Sequence, residues 1–114
     1  MTSGKDRTGR PAARSAEPHA VHVSGEMDLG HAEQLRAMLK AALDEAPDGA
    51  DIVVDLRDSS FCDSSGLNVL LATQQRARAA RHRLVLAAPS HQMVRVLELT
   101  GSTGLFTLVP APPS

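Results

Sequence analysis

Two short runs, Ile52-Val53-Val54-Asp55-Leu56 and Leu84-Val85-Leu86-Ala87-Ala88, are apolar almost without interruption. A strand with one wet face alternates in polarity. Runs this continuous read as strands covered on both faces, the pattern of parallel sheets with helical crossovers. The neighbouring segments have helical spacing. Ala32, Leu35, Met38, Leu39, Ala42, Leu43 and Ala46 share one face, with Asp28 as N-cap or near-cap and Pro47-Asp48-Gly49 as the stop. A second helix is predicted to start at Asp63 or Ser64. Leu67, Leu70, Leu71 and Gln74 form its buried stripe, and Arg76, Arg78 and Arg81 lie toward its C-terminal end, where positive charge suits the dipole. Pro89-Ser90 opens a third helix carrying Met93, Val94, Val96 and Leu97, with Gly101 as its stop. Ala20-Val21-His22-Val23-Ser24 alternates as a first strand, and Leu105-Phe106-Thr107-Leu108-Val109 reads as a last one. The order β-α-β-α-β-α-β predicts an α/β layer with right-handed crossovers wherever neighbouring strands are parallel.

At 114 residues the chain has room for one domain and one modest core. Residues 1–18 hold Gly, Pro, Ser, Thr and charge but no apolar run, with Lys5, Arg7, Arg10 and Arg14 outnumbering Asp6 and Glu17. Such a segment cannot offset its ordering entropy by burial and reads as a flexible polar tail. The domain proper spans residues 19–109, and the Pro-rich residues 110–114 form a frayed or extended end. A net charge of −1 and only two Phe, with no Trp or Tyr, argue against nucleic acid as a partner. One cysteine allows no internal disulfide, and neither a secretion signal nor a membrane span is visible. A cytoplasmic protein with no membrane partner is the expectation.

The chemistry concentrates where the second strand runs into the second helix, at Ser60-Phe61-Cys62-Asp63-Ser64-Ser65-Gly66-Leu67. Small hydroxyl side chains at a helix N-terminus can cap the helix, act as nucleophiles, or accept a phosphoryl group. A nucleophile elbow would need Gly-x-Ser-x-Gly, but Cys62 stands in the first glycine position, and His19, His22, His31, His82 and His91 carry no signature tying them to Ser64. No recognised metal-ligand spacing occurs, and no phosphate-binding glycine loop is present, so neither metal nor cofactor is expected. Cys62 reads as a small buried hydrophobe rather than a redox thiol. A phosphoryl group on Ser64 would add about −1.5 to −2 charges. It could take backbone N–H bonds at the helix start, while a partner fitted to the neutral serine would meet a dianion. Asp63, and Asp28 if the first strand exits beside this loop, would add to the negative field.

The succession Ser24-Gly25-Glu26-Met27-Asp28, the Ile52–Leu56 strand, Ser60–Leu67 and Leu84–Ala87, followed by Val94-x-x-Leu97-x-x-Thr100-Gly101 and Leu105-Phe106, closely resembles the STAS-domain anti-sigma factor antagonists of bacteria, over residues 20–109. The resemblance implies a mixed sheet of four or five strands with three or four helices mainly on one side. It also implies a non-enzymatic partner switch with no catalytic residues. The unphosphorylated protein binds a serine-kinase anti-sigma factor and frees a sigma factor. That kinase phosphorylates Ser64, which ends binding, and a PP2C-type phosphatase resets the chain. Asp28, Asp63, Ser64, Ser65, Gly66 and Leu67 are then the partner-binding residues, on a monomer or weak homodimer. Other readings are a STAS subunit of a stress-signalling complex or an ABC lipid-transport system, or a small serine hydrolase using Ser64. Three departures stand out. The extra first strand of the family would fall in the polar 11–18 stretch. Ala80-Arg81-His82-Arg83 replaces a Gly-Gly turn, so a non-glycine residue there is expected at positive φ. Cys62 replaces a commoner Met.

Overall fold

The computed structural model describes residues 17–112. Four strands, β1 (His19–Ser24), β2 (Ile52–Asp58), β3 (Leu84–Ala87) and β4 (Thr107–Val109), alternate with three helices, α1 (Ala32–Glu45), α2 (Ser64–Ala79) and α3 (His91–Leu99). The strands stand side by side in chain order, and all three pairings are parallel. The mixed sheet expected from the sequence is therefore not seen among the described residues. Each described connection contains a helix, and a helical crossover returns the chain parallel. The extra strand that the family usually carries before the first one here would fall mostly outside the described residues, as do most of the expected tail and the last two residues.

Because every crossover steps to the next strand in the same direction, one handedness puts all three helices on the same face. The core bears this out. Val21, Val23, Ile52, Val54, Leu56, Leu84 and Leu86 from the strands share one cluster with Leu35, Leu39 and Ala42 of α1, Leu67, Leu70 and Ala77 of α2, and Met93 and Leu97 of α3. On the opposite face Val53, Val85 and Ala87, with Val109 beside them, form a small separate cluster made of strand residues alone. Ile52 to Leu56 are all buried, as the unbroken apolar run requires.

The α2 stripe differs from the expected one. Gly66, Leu67, Val69, Leu70, Thr73 and Ala77 are buried, while Leu71 and Gln74 are only half-buried. The central helix packs against both the sheet and α1, so small residues turn inward, and the Thr73 hydroxyl donates to the Val69 carbonyl at 2.8 Å. The turn after α2 holds Arg81 at φ 65, the non-glycine residue in the left-handed region that the missing glycines implied. His82 N–H reaches the Ala77 carbonyl and Arg81 N–H that of Arg78, closing the last turn. Gly101, at φ 70, does the same for α3.

Candidate functional site: the paired loops at the C-terminal edge of the sheet

All strands point the same way, so the loops leaving β1, β2 and β3 gather at one edge, beside the starts of α1, α2 and α3. Gly25, at φ 82, turns the chain out of β1. The parallel pairing then resumes beyond the strand ends as an isolated bridge between Met27 and Cys62. Met27 N–H donates to the Phe61 carbonyl at 2.9 Å, and Asp63 N–H donates to the Met27 carbonyl at 3.1 Å. This bridge brings Asp28 beside the 59–67 loop, the juxtaposition on which its predicted role depended.

Each loop ends in an aspartate cap. Asp63 Oδ1 accepts from the N–H groups of Ser65, at 2.8 Å, and Gly66, at 3.1 Å, and Asp63 Oδ2 accepts from Leu29 N–H at 3.3 Å. One carboxylate therefore caps α2 and ties the other loop to it. Asp28 Oδ1 accepts from His31 N–H at 3.1 Å and lies 2.6 Å from His31 Nδ1, capping a short 3-10 turn, Leu29–His31, that leads into α1. The Asp28 carboxyl is held below the ordinary value of 3.8, chiefly by the hydrogen bond from the His31 side chain. The caps are thus the two aspartates and not the serines.

Ser64 is the first residue of α2 and is exposed; Ser65, next to it, is half-buried. Gly66 and Leu67 lie beneath the surface and shape it from below. A Cβ on Gly66 would collide with the Met27 carbonyl oxygen and sit 2.7 Å from the Met27 Cβ, so only glycine allows the two loops to approach this closely. Leu29 is 77% exposed and Phe61 40%, an apolar pair carried by the two loops that also hold Asp28, Asp63 and Ser64.

A family model described as "Mlab, STAS domain" matches residues 12–110. The chain belongs to the STAS-domain family. It is 33% identical to the anti-sigma-B factor antagonist of Bacillus subtilis (strain 168) over 81 residues, covering 71% of this chain and 72% of that protein. With the anti-sigma F factor antagonist of Lysinibacillus sphaericus it shares 32% identity over 85 residues, 75% of this chain and 72% of the relative. The solved structure of the anti-sigma factor antagonist SpoIIAA in its unphosphorylated form superimposes with a TM-score of 0.59 at 24% identity, over 82% of this chain and 79% of that one, a likeness of fold.

Four of the five histidines have partners elsewhere: His19 near Glu45, His22 with Asp58, His31 with Asp28, and His82 with the Ala50 carbonyl. None bonds to Ser64 among the described residues. Cys62 is fully buried, and its thiol is pushed up to about 11 by desolvation and then by the Asp63 charge, so it stays protonated at neutral pH. No group of three or more His, Cys, Asp or Glu among the described residues is placed to hold a metal, and no described helix is long and apolar enough to cross a membrane.

Two contributors to the STAS site carry no mark of their role in the sequence. Gln92 of α3 bonds both backbone groups of Cys62. Met27 supplies the backbone against which Cys62 and Gly66 are fitted. A glutamine one residue inside a helix gives no local signal, whereas the glycine after the double serine was a visible hint of close approach.

Proposed function

We propose that this chain is an anti-sigma factor antagonist that works by partner switching. Unphosphorylated, it binds a serine-kinase anti-sigma factor in the cytoplasm and so releases a sigma factor. Phosphorylation of Ser64 by that kinase ends the binding, and a PP2C-type phosphatase restores it. The chain itself is a substrate and a binding surface, not an enzyme.

The observation that carries this reading is the exposed Ser64 whose capping work is done by its neighbour. Asp63 already occupies the N–H groups of Ser65 and Gly66. A phosphoryl group on Ser64 would therefore find those donors taken and would add about −1.5 to −2 charges beside an existing carboxylate. That differs from the N–H cradle expected from sequence, and it favours a charge projecting toward the partner. The names of the two relatives and the match between their chains and this one support the sigma-factor context. Leu29 and Phe61, on the two loops that carry Asp28, Asp63 and Ser64, give the docking surface its apolar contact, and a partner fitted to the neutral serine would have to bury the new charge beside it.

Phosphoryl transfer from ATP by a serine-kinase anti-sigma factor tests this directly. One phosphate on wild type and none on Ser64→Ala is the expected result. Ser64→Glu should fold normally and bind the kinase about a hundredfold more weakly, roughly 2.7 kcal/mol. Wild-type affinity in that variant, measured by calorimetry, would sink the electrostatic switch. A second reading, a STAS subunit of another assembly, draws support from the matched family model, whose description carries the name Mlab rather than that of an antagonist. Failure of every serine-kinase anti-sigma factor to bind would favour it.

A further inference from the structure

Cys62 takes part in a strand-like bridge in which its neighbours, not itself, face Met27. The Phe61 carbonyl and the Asp63 N–H point to that side. Strand geometry turns the Cys62 N–H and C=O the opposite way, toward the place a third strand would occupy. β3 does not reach it. That strand ends at Ala87, and the chain turns off through Ala88, at φ 56, Pro89 and the Ser90 cap of α3. Gln92, the second residue of α3, fills the gap. Its Oε1 accepts from Cys62 N–H at 2.8 Å, and its Nε2 donates to the Cys62 carbonyl at 2.8 Å. A primary amide offers a donor and an acceptor side by side, as a peptide does, and among side chains only Asn and Gln carry one. Cys62 is fully buried, so removing the amide would strand two backbone groups away from water.

We propose that Gln92 is a positioning residue for Ser64, its side-chain amide standing in for a missing strand and fixing the backbone from which the serine is presented. The proposal rests on the reading of Ser64 as the phosphoacceptor. In the transfer, Ser64 Oγ bonds to the γ-phosphorus of ATP, the bond from that phosphorus to the ADP oxygen breaks, and the hydroxyl proton passes to a base of the kinase. Alignment of Oγ with the breaking bond governs the rate, and a displacement of about 1 Å can cost on the order of a hundredfold. Ser64 stands two residues beyond Cys62, with Asp63 between them held by the Met27 carbonyl. Loosening Cys62 frees one side of this two-sided clamp.

The test uses the full chain and Gln92→Met, which keeps the length and loses the amide. Both serve as substrates for a serine-kinase anti-sigma factor with ATP, and both are followed by hydrogen–deuterium exchange. The expected result is a kcat about tenfold lower with KM within about threefold of wild type, and faster exchange confined to residues 61–66. A merely structural role would lower the thermal midpoint and leave kcat of the folded protein unchanged. An unchanged kcat overturns the proposal, as does unchanged exchange. Gln92→Glu retains the acceptor for Cys62 N–H and loses the donor to its carbonyl, so its kcat and exchange should fall between the two. It carries the comparison if Gln92→Met does not fold. If wild type takes no phosphate on Ser64, the phosphoacceptor reading fails by itself. The exchange data then decide whether Gln92 holds the loop, and wild-type protection at 61–66 in the variant refutes it.

Discussion

The two strand-to-helix loops at the site are built to the same plan and differ in how firmly they are held. Each leaves a parallel strand, contributes one residue to the Met27–Cys62 bridge, and ends in an aspartate cap. The loop after β2 is anchored from three sides: Met27 pairs with it, Asp63 binds two N–H groups of α2, and Gln92 closes its far edge. The loop after β1 leans on the first. Beyond Met27 it makes a 3-10 turn whose cap engages a neighbouring histidine, and Leu29 stands in solvent. A rigid platform presenting the serine and a more exposed rim beside it suit a site whose chemistry happens on one residue and whose recognition spreads over both loops.

The strongest way to break this comparison is to force the loops apart. Gly66→Ala places a methyl group against the Met27 backbone, where no flexible side-chain end can yield. We expect a loss of about 3 kcal/mol in urea denaturation, at the upper end for overpacking because the obstacle is main chain. Stability within about 0.5 kcal/mol of wild type would show that the loops are not locked at this point. A smaller effect separates the two caps. Asp63→Ala should cost about 1–2 kcal/mol, since it strips the cap from α2 and the tie to Leu29 together. Asp28→Ala should cost clearly less, because its turn is short and its surroundings are open. Equal losses would mean that the platform and the rim are held alike.

Much of this arrangement was legible in the sequence, and what was not has a common cause. Caps and stops act within four residues, so Asp28, Asp63, Ser90 and Gly101 announced the helix ends before any contact was known. The unbroken apolar runs announced parallel strands. Contacts across the chain left no such mark. Gln92 reaches a residue thirty positions away, and its partners are backbone atoms that every residue possesses. The inward turn of Thr73 and Ala77 depends on where α1 lies, which the helical period of α2 alone cannot encode. Gly66 lay between these cases: a glycine inside a helix start signals crowding, but only the bridge at Met27 says what crowds it.

The finest test concerns the charge on the rim. Hydrogen bonding from the His31 side chain lowers the Asp28 carboxyl below 3.8, against a smaller opposing effect of desolvation and with the His31 charge adding to the lowering. A folded-state value below the unfolded one means that the folded chain binds fewer protons as the group titrates. The contribution is therefore complete well above 3.8 and disappears as pH falls through the lowered value. Asp28→Asn keeps an oxygen able to cap His31 N–H while removing the charge, so it isolates this term. The wild-type advantage in thermal midpoint should be at most about 2 °C near neutrality and should shrink as pH falls below the ordinary carboxyl value of 3.8 and through the lowered one. The matching Asp63→Asn comparison shows whether the acid response belongs to the rim. An advantage that does not shrink at all as pH falls below 3.8, or that never exists at pH 7, would mean that the Asp28 cap works by geometry alone and that its charge is held in reserve for the partner.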